Sequence, residues 1–460
     1  MTASQTESIG TPFVLEGETI FPVPEARRHG NALSLCLVWI GANQNIMSIL
    51  TGMIYPRLCH LSLGWSILAI LAGNLIGGVF MALHAAQGPR LGIPQMQQTR
   101  GQFGSVGSLL VVGIVIVMYV GFTATLLAIG RDQALEAFGP AAGQTPVWIS
   151  AVVIAVLCVI GHGVIERFIG WFAGVAGVTF LLLGGVYLFS AGGGLAHPFW
   201  QTPTLRDAIA GLSLGVLWQI AYAPYVSDYT RYLPSKTGEA TAFRACLAGG
   251  VGGTAFPTII GAMIGCTLFS GTPYDAVRAF SPVLPVLLFT VMITSTLVSC
   301  TMQIYCAALS SLTFVHTFRP AWHPTHRARG VAAALLLAAC VAITVNLGNN
   351  VLDIINDVIE LLLAVLSPWT AINLVDYYLV QHGAYDMPSL FRADGGIYGR
   401  FNRNALVCYA IGIAVQIPFL ANALYTGPAA RALGAVDVSW AVGIIVPGVL
   451  YRLLARRTAP

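Results

Sequence analysis

Twelve apolar stretches follow one another along this chain, near residues 31–54, 62–86, 104–131, 146–161, 168–191, 208–232, 241–270, 281–317, 329–347, 351–380, 404–424 and 438–455. A helix needs about 20 residues to cross the hydrocarbon core of a bilayer, and these stretches match that length. Nothing else in the sequence restricts the fold as strongly. In lipid every backbone N–H and C=O must be bonded within the protein, so long uniform apolar runs become helices. Charge content agrees, since only 9% of residues are Asp, Glu, Lys or Arg, against about one quarter in soluble domains. The expected fold class is an all-α membrane protein with about twelve transmembrane helices.

Charge sets the orientation. With residues 1–30 in the cytoplasm, all but five of the 22 Lys and Arg residues fall on the cytoplasmic side, the five being Arg57, Arg131, Arg206, Arg278 and Arg431. That bias follows the positive-inside rule and favours an even number of spans with both termini in the cytoplasm. The segment 1–30 lacks the basic start and short apolar core of a cleaved signal peptide, so the first span is expected to act as an uncleaved insertion signal in the cell membrane. None of the nine cysteines forms a CxxC pair and most lie inside apolar stretches, so they read as small apolar packing residues.

The first span is interrupted by Gly41, Asn43, Gln44 and Asn45 at about mid-depth. A broken helix would turn free carbonyls and amides toward a cavity, as secondary transporters do at substrate and ion sites. Amides bonding neighbouring helices account for the same residues equally well. The sixth span carries a second interruption, Trp218-Gln219-Ile220-Ala221-Tyr222-Ala223-Pro224-Tyr225, where Pro224 removes a backbone donor. Interrupted helices in corresponding positions of two halves point to a transporter site and to an internal repeat. Five spans per repeat is odd, so the second copy is inverted. The expected division is a cytoplasmic segment over 1–30, a first five-helix repeat over 31–191, an inverted second repeat over 208–380, a cytoplasmic loop over 381–403 and two peripheral helices over 404–455.

Other polar residues within the spans narrow the chemistry. On the eighth span Thr296, Ser299 and Gln303 share one helical face. Their oxygens suit an alkali cation, although serine and threonine in membrane helices commonly bond their own i−4 carbonyls. Glu360 lies two to three turns inside the tenth span, and an ionisable group at that depth is a functional candidate by default, either relaying protons or pairing with a helix-packing donor. Asp228 stands three residues before Arg231 at the end of the sixth span and reads as a gate or a structural salt bridge, and Asp376 is placed similarly on the tenth. No HExxH, GxSxG or P-loop lysine motif is present, so an ATP-driven pump or a hydrolytic enzyme finds no support.

Several stretches then resemble one family. Residues Gly92 to Gly104, Ser227-Asp228-Tyr229-Thr230-Arg231-Tyr232-Leu233-Pro234, Ser367-Pro368-Trp369 with Asp376-Tyr377-Tyr378-Leu379-Val380, and Tyr385-Asp386 through Tyr398-Gly399 resemble, in order, motifs of the nucleobase–cation symporter family in its purine–cytosine permease branch. The resemblance implies a five-plus-five inverted-repeat fold with helices 1 and 6 broken. It implies import of a nucleobase or related heterocycle, coupled to Na+ or H+ by alternating access, with no other cofactor. The implied partners are the small heterocyclic base and membrane lipid, without nucleic acid. The implied substrate residues are Gln44, Phe122, Trp218, Gln219 and Gln303: aromatic faces stack the base and amides read its edge. The implied cation residues are Gly41, Asn43 and Ser299. The family's two consecutive hydroxyls on the eighth helix match Val298-Ser299 here, which leaves a single hydroxyl and brings proton coupling through Glu360 or Asp228 forward. A membrane receptor using the same fold, or a passive channel, is the alternative.

Overall fold

The computed structural model describes residues 16–190, 198–267, 284–346, 349–422 and 424–457, without the side chains of 187–190, 349–360 and 363. Its elements are helical. The first span is a pair of helices, α1 (Ala32–Asn43) and α2 (Ile46–Arg57), bent by 63° at a short break. There follow α3 (Leu63–Leu91), the short α4 (Gln95–Phe103), α5 (Ser108–Phe138), α6 (Thr145–Ile160) and α7 (His162–Ser190). The second half repeats the sequence of elements: a broken pair α8 (Leu205–Ile220) and α9 (Val226–Thr230), then α10 (Glu239–Cys266), α11 (Leu284–Phe318), α12 (His326–Asn346) and α13 (Asn349–Val375). α13 continues as a π-helical turn over Asp376–Val380. The last elements are α14 (Arg403–Gln416), the single turn α15 (Pro428–Ala432) and α16 (Ser439–Leu454).

By length and apolarity alone, six helices and the bent first pair qualify as membrane spans. The remaining expected spans also fall on helices, but on shorter, broken or acid-bearing ones. The eleventh ends earliest against expectation: α14 closes in a single 3-10 turn, Ile417–Phe419, where Pro418 cannot continue the helical hydrogen bonding.

Packing shows the two halves to be counterparts. Gly73 and Gly77 of α3 lie against α8, where an added Cβ would come within 2.4 Å of the Leu212 and Val216 carbonyl oxygens. Gly249 and Gly253 of α10 lie against α1 in the same way, 2.5 Å from the Cys36 carbonyl and 2.7 Å from Ile40 Cα. Each is a small-xxx-small pair, the device that lets two membrane helices approach at backbone distance. The second helix of one half thus clasps the broken first helix of the other. This is the five-plus-five inverted arrangement, with α5 and α11 running side by side between the halves.

The basic loops share one face. Val23 N–H bonds the Gly92 carbonyl at 2.9 Å, Val106 N–H bonds the Arg400 carbonyl at 2.9 Å, and Arg90 pairs with Glu239 at 3.1 Å. We call this the basic face.

Candidate functional site

The break between α1 and α2 is built by its own polar residues. Asn45, in extended conformation, caps α2 by accepting from Ser48 N–H at 3.0 Å, and its amide donates to the Ala42 carbonyl at 3.0 Å. Asn43 donates to the Trp39 carbonyl at 2.8 Å, and the Ser48 hydroxyl donates to the Asn43 carbonyl at 2.7 Å. These bonds satisfy groups that a helix interruption leaves without water at mid-membrane. One is left over. Gln44 N–H bonds the Ile40 carbonyl and Asn45 N–H turns back to the Asn43 carbonyl, so neither reaches the carbonyl of Gly41.

Asn43 also joins the two broken helices. Its Oδ1 accepts from Trp218 Nε1 of α8 at 3.1 Å and from the Thr254 hydroxyl of α10 at 2.6 Å. Gln219 Nε2 reaches Thr254 Oγ1 at 3.0 Å, Asn74 Oδ1 at 2.9 Å and the Gly250 carbonyl at 3.1 Å. Both readings of the first interruption therefore hold together: the helix breaks, and its amides also bond neighbouring helices.

Beside the breaks lies a cavity of about 940 Å³. Its inner end is aromatic, formed by Tyr119 and Phe122 of α5 and by Trp218, Tyr222 and Tyr225 around the α8 break. Tyr119 and Tyr225 meet edge to face, with ring centroids 5.4 Å apart. Polar groups on the wall include Asn45, Thr125, Ser299 and Gln303. The cavity extends past Thr51 and Ser213 to Asp132 and Ala435, both exposed on the face opposite the basic one.

The basic face below the cavity is closed. Glu16 carries the closure: its Oε2 lies 2.8 Å from Arg329 Nη1 and its Oε1 3.4 Å from Arg231 Nη2, both arginines being fully buried. Tyr305 donates to Glu16 at 2.7 Å, Tyr232 donates to it as well, and His162 N–H donates at 3.0 Å. Four chain segments thus meet on one carboxylate. The structure is open toward the opposite face and shut on this one.

The expected site residues divide accordingly. Phe122, Trp218, Gln303 and Ser299 line the cavity. Gln219 does not; it is buried among α3 and α10, as its bonds show. Gln44 lies outside the lining too, with its amide 3.6 Å from where a Cβ on Gly177 of α7 would stand. Gly41 is a close-packing residue, since a Cβ there would meet the Ile169 carbonyl at 2.6 Å. The side chain of Asn43 is saturated by structural bonds and leaves only backbone for a cation. Thr296 bonds the Met292 carbonyl at 3.2 Å, the local i−4 pattern, and takes no part in the lining. Asp228 caps α4 by accepting from Gln95 N–H at 2.8 Å, and Arg231 bonds its backbone carbonyl while pairing with Glu16, which replaces the expected Asp228–Arg231 salt bridge. Asp376 accepts from Tyr385 at 2.5 Å and Tyr451 at 2.9 Å, a structural role. The side chain of Glu360 lies outside the described residues. Sequence reasoning missed Tyr222 and Tyr225 as lining residues; they stand in the turn between α8 and α9, where no helical spacing from Trp218 signals them.

Comparison with known proteins places this architecture. The model of the family described as permease for cytosine/purines, uracil, thiamine, allantoin matches residues 22–443. The chain belongs to this permease family. YxlA of Bacillus subtilis, which carries the description purine-cytosine permease, is 34% identical over 454 residues, 96% of each chain. The purine-cytosine permease FCY21 of Saccharomyces cerevisiae is 25% identical over 255 residues, 54% of this chain and 48% of its own. Among solved structures, Mhp1, a nucleobase-cation-symport-1 family transporter in a closed conformation with bromovinylhydantoin bound, superposes with a TM-score of 0.75 at 18% identity, covering 95% of this permease and 94% of Mhp1. A Na+-coupled sialic acid symporter superposes at 0.62 with 13% identity, covering 93% and 90% of the two chains. The permease is a multi-pass membrane transport protein and not an enzyme.

Proposed function

We propose that this permease imports a nucleobase or a related flat heterocycle across the cell membrane, coupled to Na+ or H+, by alternating access. The observation that carries the reading is the lining of the cavity: aromatic rings from both halves of the repeat, with Gln303 on the same wall. Trp218 and Phe122 are the rings assigned to stack a planar base, and each stacked pair is worth about 0.5–1.5 kcal/mol beyond its area burial. Gln303 offers one donor pair and one acceptor to a base edge, while its Oε1 holds only a long 3.5 Å contact to the Thr123 hydroxyl. A site built to bond a polar edge rejects analogues without it, because its own groups would then stay unpaired.

The coupling ion has two routes. The Gly41 carbonyl and the Ser299 hydroxyl, both without a partner among the described residues, supply hard oxygens for Na+. That is a sparse set, and Glu360 offers a proton route instead, with Asp228 tied down as a cap. The basic face is the cytoplasmic one by its arginines, so the opening on the opposite face receives substrate from outside. The repeat units are 31–191 and 208–380; cation and base bind between the two broken helices, and bundle and scaffold then rock against each other.

Uptake of labelled cytosine, hypoxanthine and uracil into proteoliposomes tests this, with a Na+ gradient in one set and a proton gradient in another. Accumulation above the protein's own stoichiometry is expected with one of the two gradients. Retention of no base under either gradient by folded protein overturns the substrate class. Gln303→Ala is expected to raise KM for the base by ~10-fold or more, the usual cost of losing a buried hydrogen-bond partner; unchanged transport removes Gln303 from the edge-reading role.

A further inference from the structure

We propose that His29, His162 and Glu166 form a divalent transition-metal site on the basic face, of the Zn2+ type, that clamps the segment leading into α1 onto α7. His162 and Glu166 stand at i, i+4 on the first turns of α7, so both point to one side of that helix. His162 Nδ1 and His29 Nε2 each lie 3.8 Å from Glu166 Oε2, and the three donor atoms fall within 4.8 Å of one another. These separations are too long for hydrogen bonds. They are close to those of a tetrahedral zinc site, where bonds of about 2.0–2.2 Å put neighbouring donors roughly 3.3–3.5 Å apart.

The second observation is a buried, unused lone pair. His162 is buried, its Nδ1 has no hydrogen-bond partner, and that atom faces Glu166 and His29. Its ring is held in place by stacking on Tyr232, with centroids 4.1 Å apart and planes at 21°. His29 is oriented from behind: Nδ1 bonds the Arg27 carbonyl at 3.1 Å, which puts the proton there and leaves Nε2 as the ligand atom. Metal-bound histidines are commonly fixed by such an outer bond. Two imidazoles and a carboxylate form a donor set suited to Zn2+, with a fourth position left to water. The nearby guanidiniums of Arg231 and Arg329 are already paired with Glu16. His29 is exposed, so the site is accessible from the basic face.

The consequence for transport rests on the alternating-access reading above. The same linker and helix start that would hold the metal also border the Glu16 closure, through His162 N–H and the His29 N–H bond to the Tyr232 carbonyl. A bridging metal ties the linker to α7 and holds this face shut.

The test is a calorimetric titration of the full-length protein in detergent with Zn2+, for the wild type, His29→Ala and Glu166→Gln. One Zn2+ per chain is expected for the wild type, with affinity at least ~10-fold weaker in each variant, since each loses a ligand. His29→Cys, which keeps a ligand, is expected to restore binding. Wild-type protein that binds no Zn2+, or variants that bind it as the wild type does, overturn the site. In proteoliposomes, Zn2+ applied at the basic face is expected to slow base uptake several-fold in the wild type and to leave His29→Ala unaffected; equal effects on both overturn the clamp. If no base is taken up even without metal, the transport reading fails, and the titration still decides the site.

Discussion

Trp218 and Gln219 are neighbours in the chain with opposite duties. Trp218 faces the cavity and donates to Asn43, whereas Gln219 points back into α3 and α10 and bonds Asn74 and Thr254. Their replacement by alanine should separate accordingly. Trp218→Ala is expected to raise KM for the transported base by ~10-fold or more, because a stacking face and its buried area are lost together. Gln219→Ala is expected to cost about 1–3 kcal/mol of stability by leaving buried polar groups unpaired, with KM near the wild-type value. Thermal unfolding and concentration-dependent uptake on the two variants check both, and a KM defect in Gln219→Ala as large as that of Trp218→Ala would return Gln219 to the site. The sequence placed both residues near the site and could not tell them apart. Both stand on α8, which runs unbroken to Ile220, and the helical period says only that neighbours point in different directions, not which of them meets the cavity. Once the packing fixes the face the period holds: Ser213, Leu214, Leu217 and Trp218 line the cavity and Gln219 does not, just as Ser299 and Gln303 at i, i+4 both reach it.

Helices here are held by close backbone approach and by one buried charge cluster. Gly261 of α10 faces α2 so tightly that a Cβ would stand 2.0 Å from the Ile49 carbonyl oxygen, and Gly52 meets the Thr258 carbonyl from the other side at 2.1 Å. Backbone cannot step aside as a flexible side chain does, so Gly261→Val is expected to abolish folded, monodisperse protein on size exclusion. The second device is the Glu16 cluster. Removing that carboxylate leaves Arg231 and Arg329 buried without a counter-charge, a loss of about 3–5 kcal/mol for a buried pair. Glu16→Ala should therefore shift the protein toward the state open on the basic face. Cys306, fully buried and on α11 one residue beyond Tyr305, reports it. Its alkylation rate is expected to rise several-fold in Glu16→Ala, and an unchanged rate would show that the cluster does not hold this face shut. None of this was legible in the chain: Glu16 lies 215 residues from Arg231, in a polar segment that reads as a solvated tail.

Across the molecule, the motifs that reveal the family and the cavity that would hold the substrate lie in different places. Residues 92–104, 227–234, 376–380 and 385–399 converge on the basic face. There Asp228 caps α4, Gln97 donates to the Leu390 carbonyl at 2.9 Å, Ser105 donates to the Ala393 carbonyl at 2.8 Å, and Tyr385 joins Gln102 to Asp376. α4 illustrates the cost of this assembly. Every one of its nine residues is buried although most are polar, and burial pushes the Arg100 guanidinium down to about 10. These stretches identify the family strongly and say little about which base is carried. Membrane insertion, helix class, span order, orientation bias and the position of both breaks follow from the chain alone, because lipid imposes apolar length and leaves few places for polar residues. Only the packed structure settles which face of each interrupted helix meets the cavity, which carboxylate pairs with Arg231, and which side is shut. Those depend on contacts between residues hundreds of positions apart, and no local period or propensity encodes them.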